Sequence, residues 1–293
     1  MKPDTLRATI VGSTAILMWG TLATLTTLAG NIPPFQLTTF SFTLAFAIGL
    51  ILWLKQGGSL RQQLRLPWRV WVLGIYGLFG YHFFYFMALQ RAPAVEASLI
   101  AYLWPLLIVL FSAMLPGEKL RWFHLVGAGV AFGGAALLVT GGQGIRFNPA
   151  YTLGYGLALL CAFTWSSYSV LSRFFGAIPT QTVGGFCGVT ALLAGICHLL
   201  FENTVWPVGW EWGAIVALGI GPVGAAFYTW DYGVKRGNIR LLGAFSYATP
   251  LLSTLLLIGL GLARASGVLL LACLLIVGGA LLASADSLDP TKS

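Results

Sequence analysis

The chain has 293 residues, of which 58% are hydrophobic and only 8% charged, with a mean hydropathy of +0.86. A soluble domain carries about 25% charged residues, so a soluble fold is excluded, and apolar sequence along nearly the whole length excludes a soluble domain on a single anchor. Sixteen Lys and Arg against eight Asp and Glu leave a net charge of +8, which their distribution assigns to membrane topology and not to a nucleic-acid surface.

A bilayer-crossing helix needs roughly 20 mostly apolar residues. Ten such runs are read along the chain, at 8–29, 34–54, 67–90, 93–115, 119–141, 152–175, 180–201, 209–234, 239–262 and 265–284. Spanning strands alternate in short segments, so a barrel is excluded. The run 8–29 follows Lys2 and Arg7; it is too long for a signal peptide and is expected to be a retained helix. It carries Trp19 near its centre. The runs 34–54 and 180–201 hold almost no strongly polar side chains at mid-depth and are expected at the periphery. The run 67–90 contains "YHFFY" at 81–85. Tyr81 and Tyr85, four apart, share a helix face, with His82 one position round. An ionisable residue inside a membrane is a candidate functional group, weighed against a neutral histidine bonded to a neighbouring helix. His124 and His198, nearer helix ends, read as structural.

The run 93–115 carries Tyr102, Trp104 and Pro105, and the run 239–262 carries Ser246, Tyr247 and Pro250. Proline inside a helix removes an N–H and frees the carbonyl four residues back, here those of Ala101 and Ser246. Such backbone at membrane depth is tolerated only against protein or a water-filled cavity. Two helices bent beside a cavity are therefore expected, with Pro105 and Pro250 as candidate hinges; the alternative is a kink that only shapes packing. Pro222, after Gly219 and Gly221, is a third candidate. In the run 152–175, Thr164, Ser166, Ser167 and Tyr168 surround Trp165, and the run 209–234 adds Tyr228. Gly129, Gly133 and Gly134, with Gly278 and Gly279, read as scaffold packing between close helices.

Tryptophan prefers the membrane–water interface. Trp53, Trp68, Trp71, Trp122, Trp206, Trp210, Trp212 and Trp230 lie near expected helix ends and read as anchors. Trp19, Trp104 and Trp165 lie near helix centres, where an indole N–H facing lipid would cost several kcal/mol. They are expected either to line a hydrated central cavity or to pack between helices with a local carbonyl partner. The candidate solute-binding set is thus Trp19, Tyr81, His82, Tyr85, Tyr102, Trp104, Trp165, Tyr168, Tyr228, Ser246 and Tyr247. Aromatic faces and freed carbonyls can hold an ammonium group, and His82 with the hydroxyls is expected to take a carboxylate. Glu96, five residues from Arg91, is a candidate outer gate, and Asp231 is expected to pair with Lys235 one turn on. Cys161, Cys187, Cys197 and Cys273 lack zinc-type spacing. No catalytic group, metal or cofactor is expected: the sequence has no histidine cluster, paired carboxylates, Gly-x-Ser-x-Gly elbow or Walker loop.

Lys and Arg accumulate on the cytoplasmic side. With the N-terminus inside, Lys2, Arg7, Lys55, Arg61, Arg65, Arg69, Lys119, Arg121, Arg173, Lys235, Arg236, Arg240 and Lys292 fall inside, 13 of the 16; Arg91, Arg146 and Arg264 fall outside. Both termini are expected to be cytoplasmic. Shifting the chain by 145 residues aligns Arg91 with Arg236, Tyr102 with Tyr247, "PLL" at 105–107 with 250–252, and "GGA" at 133–135 with 278–280. The halves are then 1–145 and 146–293, five helices each. An odd number inverts the second half, and inverted repeats place a transport site between them near mid-membrane.

Two five-helix halves, mid-helix Pro105 and Pro250, "PGEKL" at 116–120 and the glycine-rich run after it resemble the EamA-type transporters of the drug/metabolite transporter superfamily over the whole chain. The second half departs, with "GLARAS" at 261–266 where a second "GE" is usual. The mid-membrane aromatics are most similar to those of aromatic amino acid exporters. That resemblance implies an all-α, multi-pass bacterial inner-membrane protein exporting neutral amino acids, Phe, Tyr and Trp foremost, by alternating access. Its partners would be the small solute and the lipid bilayer, with no nucleic acid and no obligatory protein partner. A lipophilic drug or nucleobase in the same fold is the alternative. The first helix lacks the glutamate that small multidrug exporters use for proton coupling, so His82 coupling and simple gradient-driven export both stay open.

Overall fold

The computed structural model describes residues 2–55, 65–118, 120–144, 147–261, 266–283 and 285. Arg61, Lys119, Arg146, Arg264 and Lys292, and residues 262–265 of "GLARAS", lie outside them.

In hydrocarbon every backbone polar group must be satisfied within its own segment, which favours helices. Among the described residues, eight helices are long and apolar enough to cross a membrane: α1 Pro3–Leu28, α2 Pro34–Lys55, α3 Trp68–Leu89, α4 Ala94–Ser112, α5 Trp122–Thr140, α7 Thr180–Phe201, α8 Glu211–Arg236 and α9 Ile239–Gly259. Two further helices complete the order. The first, α6 Thr152–Leu171, is equally long but diluted by Thr164, Ser166, Ser167 and Ser169. The second, α10 Gly267–Ala283, is apolar but shorter. α1 starts earlier than its apolar run because Pro3 suits the first turn and Asp4 complements the N-terminal dipole.

The helix pairs are set by small residues. Gly12 of α1 meets Gly233 of α8, and Gly49 of α2 meets Gly184 of α7. A methyl at either crossing would strike the partner's backbone. α10 lies along α5, where Gly127, Gly134 and Gly279 face the partner backbone. Gly129, Gly133 and Gly278, expected in that seam, point into open space instead. α6 packs on the second half of α3 and on α4, and α9 packs on α1 and α4. Just past the end of α7, the Glu202 carboxylate accepts the Phe35 and Gln36 amides at the start of α2 (2.9 and 3.0 Å), meeting donors that a helix start leaves unpaired.

Five cavity helices are interrupted, α1 among them at Thr21. α4 breaks at Tyr102–Leu103 and α9 at Ser246–Tyr247, each just ahead of its proline. α3 and α8 each carry a widened π turn, at Tyr76–Gly80 and Gly221–Ala225, the latter around Pro222. A π turn inserts a residue and rotates the remainder of the helix about its axis. The expectation of a free Ser246 carbonyl is corrected: it accepts the Thr249 amide at 3.1 Å, because the break tightens into a three-residue turn.

A candidate transport cavity

Near mid-depth the helices enclose a cavity of about 590 Å³. Its walls include Trp19, Tyr81, His82, Tyr85, Tyr102, Trp104, Trp165 and Pro222, all singled out in the sequence. It also takes Phe42, Ser98, Phe227 and Thr249, which the sequence reading passed over. The cavity runs past Leu22 and Thr26 to Ile32 and Pro34, so it extends toward the face opposite the N-terminus. Among the described residues no Asp, Glu, Lys or Arg lines it.

The other side is floored by indoles. Trp19 lies 5.7 Å from Trp165 and 6.1 Å from Trp104, both edge-on, and 5.0 Å from Trp230. Trp230 completes the cluster at 5.9 Å from Trp104 and 6.2 Å from Trp165, its N–H donating to Ser169 at 3.1 Å. This corrects the anchoring role expected for Trp230, which is 1% exposed. Trp53 is equally enclosed, its N–H on the Gln181 carbonyl. Trp68, Trp122, Trp206, Trp210 and Trp212 are exposed, as anchors are.

Polar groups point inward at defined places. The Trp19 N–H donates to the Pro222 carbonyl at 3.0 Å, a buried bond across the π turn of α8. Among the described residues the indole N–H groups of Trp104 and Trp165 have no partner, although both rings line the cavity. His82 Nδ1 lies 2.7 Å from the Leu78 carbonyl, which can only accept, so Nδ1 carries the proton and a neutral ring leaves Nε2 as an acceptor. The Tyr85 hydroxyl meets Ser98 at 3.1 Å, and Tyr81 stacks on Tyr85 and lies 5.5 Å from Trp165. Phe42 stacks on Phe227 and takes His82 edge-on.

The remaining sequence candidates sit behind the wall. The Tyr247 hydroxyl accepts the Leu106 amide at 3.0 Å, bracing the α4 break against the α9 break. Ser246 donates to the Leu242 carbonyl at 2.7 Å, and the Tyr228 hydroxyl to the Ala45 carbonyl at 3.2 Å. The Tyr168 ring packs over Gly77, beneath Trp165. Pro105 is buried beside Gly243, and Pro250 is buried in α9. The expected periphery of α2 is also corrected: Leu37, Thr38, Ser41 and Phe42 form one cavity wall, because an aromatic and small-residue face serves where polarity was sought. α7 contributes nothing to the lining.

Arg91 donates to the Met87 carbonyl and sulfur, and among the described residues it forms no ion pair with Glu96. Asp231 does pair with Lys235, at 2.9 Å, and accepts from Thr180 at 2.8 Å. His124 Nδ1 accepts the Arg121 amide, and His198 binds Glu202 at 3.0 Å, both at helix ends.

The chain is similar to known proteins along most of its length. The model of the EamA-like transporter family matches residues 6–140 and again 152–285. A protein named aromatic amino acid exporter YddG from Ancylobacter novellus is 58% identical over 94% of this chain and 96% of its own. The protein of that name from Escherichia coli is 25% identical, again over 94% of this chain and 96% of its own. A solved crystal structure 57% identical in sequence superposes with a TM-score of 0.91, covering 95% of this chain and 98% of that one.

Proposed function

The chain belongs to the EamA-like transporter family, and from that premise we propose that it exports aromatic and similar neutral amino acids by alternating access. The observation that carries the reading is a mid-depth cavity walled by aromatic rings, with no fixed charge among the described residues. Such a site repels polyanions and polycations, which would lose their hydration unpaired. It suits a zwitterion whose two charges compensate each other and whose ring stacks on the walls. Relatives named as aromatic amino acid exporters support the same solute class.

The unpartnered Trp104 and Trp165 N–H groups and the Tyr102 hydroxyl would hold the carboxylate. His82 Nε2, fixed as acceptor by the Leu78 bond, and the aromatic faces would hold the ammonium. This reverses the carboxylate role that the sequence suggested for His82, since a neutral ring offers no second N–H. Tyr168, Tyr228, Ser246 and Tyr247 would support the wall from behind.

The protein is a multi-pass protein of the bacterial inner membrane. We read its architecture as ten spans in two inverted halves, 1–145 and 146–293, with both termini cytoplasmic. Helix packing supports this. Exchanging α1–α5 with α6–α10 maps α1–α8 onto α6–α3, α1–α9 onto α6–α4, and α2–α7, α5–α10 and α4–α9 onto themselves. On this reading the cavity opens to the periplasm, and Pro105, Pro250 and Pro222 are hinges at the helix interruptions. Transport needs no chemistry on the solute, so no catalytic group is assigned.

Efflux from proteoliposomes loaded with labelled phenylalanine, alanine, glutamate, lysine or a cationic dye tests the reading. Phenylalanine should leave fastest and the charged amino acids not above empty liposomes. Dye efflux without phenylalanine efflux would overturn the proposal.

A further inference from the structure

On the closed side, below the tryptophan floor, one carboxylate gathers helix ends from both halves. Glu118, just past α4 and part of the "PGEKL" stretch, lies 3.1 Å from Arg240 at the start of α9 and 3.7 Å from Arg173 just past α6. Arg173 also donates to the carbonyls of Gly237 (2.8 Å) and Val234 (3.3 Å) at the end of α8. A cation is favoured there by the helix dipole and by carbonyls left without partners.

These helices are the ones that wall the cavity. α4 supplies Tyr102 and Trp104, α6 Trp165, α8 Pro222 and Phe227, and α9 Thr249. Their far ends bound the open cavity while their near ends are drawn together on Glu118. The two arginines repel each other. Burial holds the Arg173 guanidinium below its ordinary basicity, Glu118 opposes this, and Arg240 adds to it. Removing the carboxylate would leave like charges facing across the joint. His124 Nε2 lies 3.3 Å from Arg240 but, with Nδ1 accepting from Arg121, it cannot replace the carboxylate.

The repeat makes the cluster one-sided. Shifted by 145 residues, Glu118 corresponds to Ala263, Arg240 to Val95 and Arg173 to Leu28. In an inverted repeat the opposite conformer is built from the exchanged contacts. The exchanged positions carry no charge, so the grouping of Glu118 with Arg173 and Arg240 has no counterpart at them. A contact present in one state and absent in the other shifts the balance by its own differential free energy.

We infer that Glu118, with Arg173 and Arg240, is an ionic latch that closes the N-terminal face and biases the resting protein toward the conformer open on the other side. The inference rests on the alternating-access reading above.

Ser172 is buried beside a narrow gap on the closed face with Tyr168, Asp231 and Lys235, and Ser98 lines the open cavity. In protein with its four cysteines replaced by alanine, Ser172→Cys and Ser98→Cys report each face by their rate of reaction with a charged maleimide. In nanodiscs both faces meet the reagent. Glu118→Gln should raise the rate at position 172 by about tenfold or more and lower it at 98, as the unlatched conformer fills. Glu118→Asp, which keeps the charge, should stay near the parent rates. If Glu118→Gln fails to fold, Arg240→Gln carries the test in the same direction. Unchanged rates at both reporters in a folded variant overturn the latch. Phenylalanine exchange by the parent protein separates the two claims. Exchange with unmoved labelling refutes the latch alone; no exchange with shifted labelling refutes the transport reading alone.

Discussion

Replacing Trp165 by phenylalanine separates what an indole gives the solute from what it gives the fold. Trp165 is 3% exposed and lies within ring contact of Trp19, Tyr81, Trp104, Phe227 and Trp230. Truncation to alanine would cost about 3–5 kcal/mol through the cavity it leaves, enough to confuse unfolding with lost transport. Phenylalanine keeps one ring and removes the other, together with the unpartnered N–H. A favourable ring–ring contact is worth about 0.5–1.5 kcal/mol, or roughly 2- to 12-fold in affinity. That loss falls on aromatic solutes alone. A hydrogen bond to a charged group contributes about 1.5–3 kcal/mol, and its loss falls on every amino acid. Counterflow of labelled phenylalanine and labelled alanine into proteoliposomes, each over a range of concentrations, reads both effects. Apparent affinity should fall for both solutes, and the preference for phenylalanine should fall by a further 2- to 12-fold or so. An unchanged preference, with folded protein at normal yield, would refute the aromatic-wall argument.

Other parts of the molecule can be perturbed independently. Gly279→Leu places a side chain against the Ala131 backbone across the α5–α10 seam; at about 1–3 kcal/mol or more of overpacking, thermal unfolding monitored by tryptophan fluorescence should shift down while cavity mutants do not. Asp231→Asn leaves Lys235, whose side chain is 5% exposed, without its carboxylate, at a cost of about 3–5 kcal/mol; Asp231→Asn with Lys235→Met should recover most of the lost melting temperature. Pro250→Ala should straighten the α9 break and slow maximal phenylalanine efflux several-fold while leaving its apparent affinity within about twofold; a lowered affinity at unchanged maximal rate would argue against a hinge.

Depth was legible in the sequence, and helical phase was not. Trp19, Trp104 and Trp165 stand near the middle of long apolar runs, and an unpaired N–H there demands protein or water, which suffices to bring them together. Tyr168, Tyr228, Ser246 and Tyr247 share that depth but face other helices. In helices apolar on every side no stripe marks the cavity, and the breaks at Tyr102–Leu103 and Ser246–Tyr247 rotate the residues beyond them. Trp230 sits one turn inside a helix end, a position that serves anchoring and a buried cluster equally; the π turn at Gly221–Ala225, invisible in the sequence, turns it inward. Phe42 and Phe227 carried no polar signal at all. The latch was half visible: Glu118 stood out in "PGEKL", but its partners lie 55 and 122 residues away and only folding brings them to it.

The most direct test is a map of the protein in nanodiscs with saturating L-phenylalanine. The solute's ring should lie between Trp165 and Tyr102, its carboxylate toward the Trp104 and Trp165 N–H groups and its ammonium toward His82, with Glu118 still gripping Arg240. Phenylalanine seated elsewhere, or a central space empty of solute at concentrations that saturate efflux, would contradict the account.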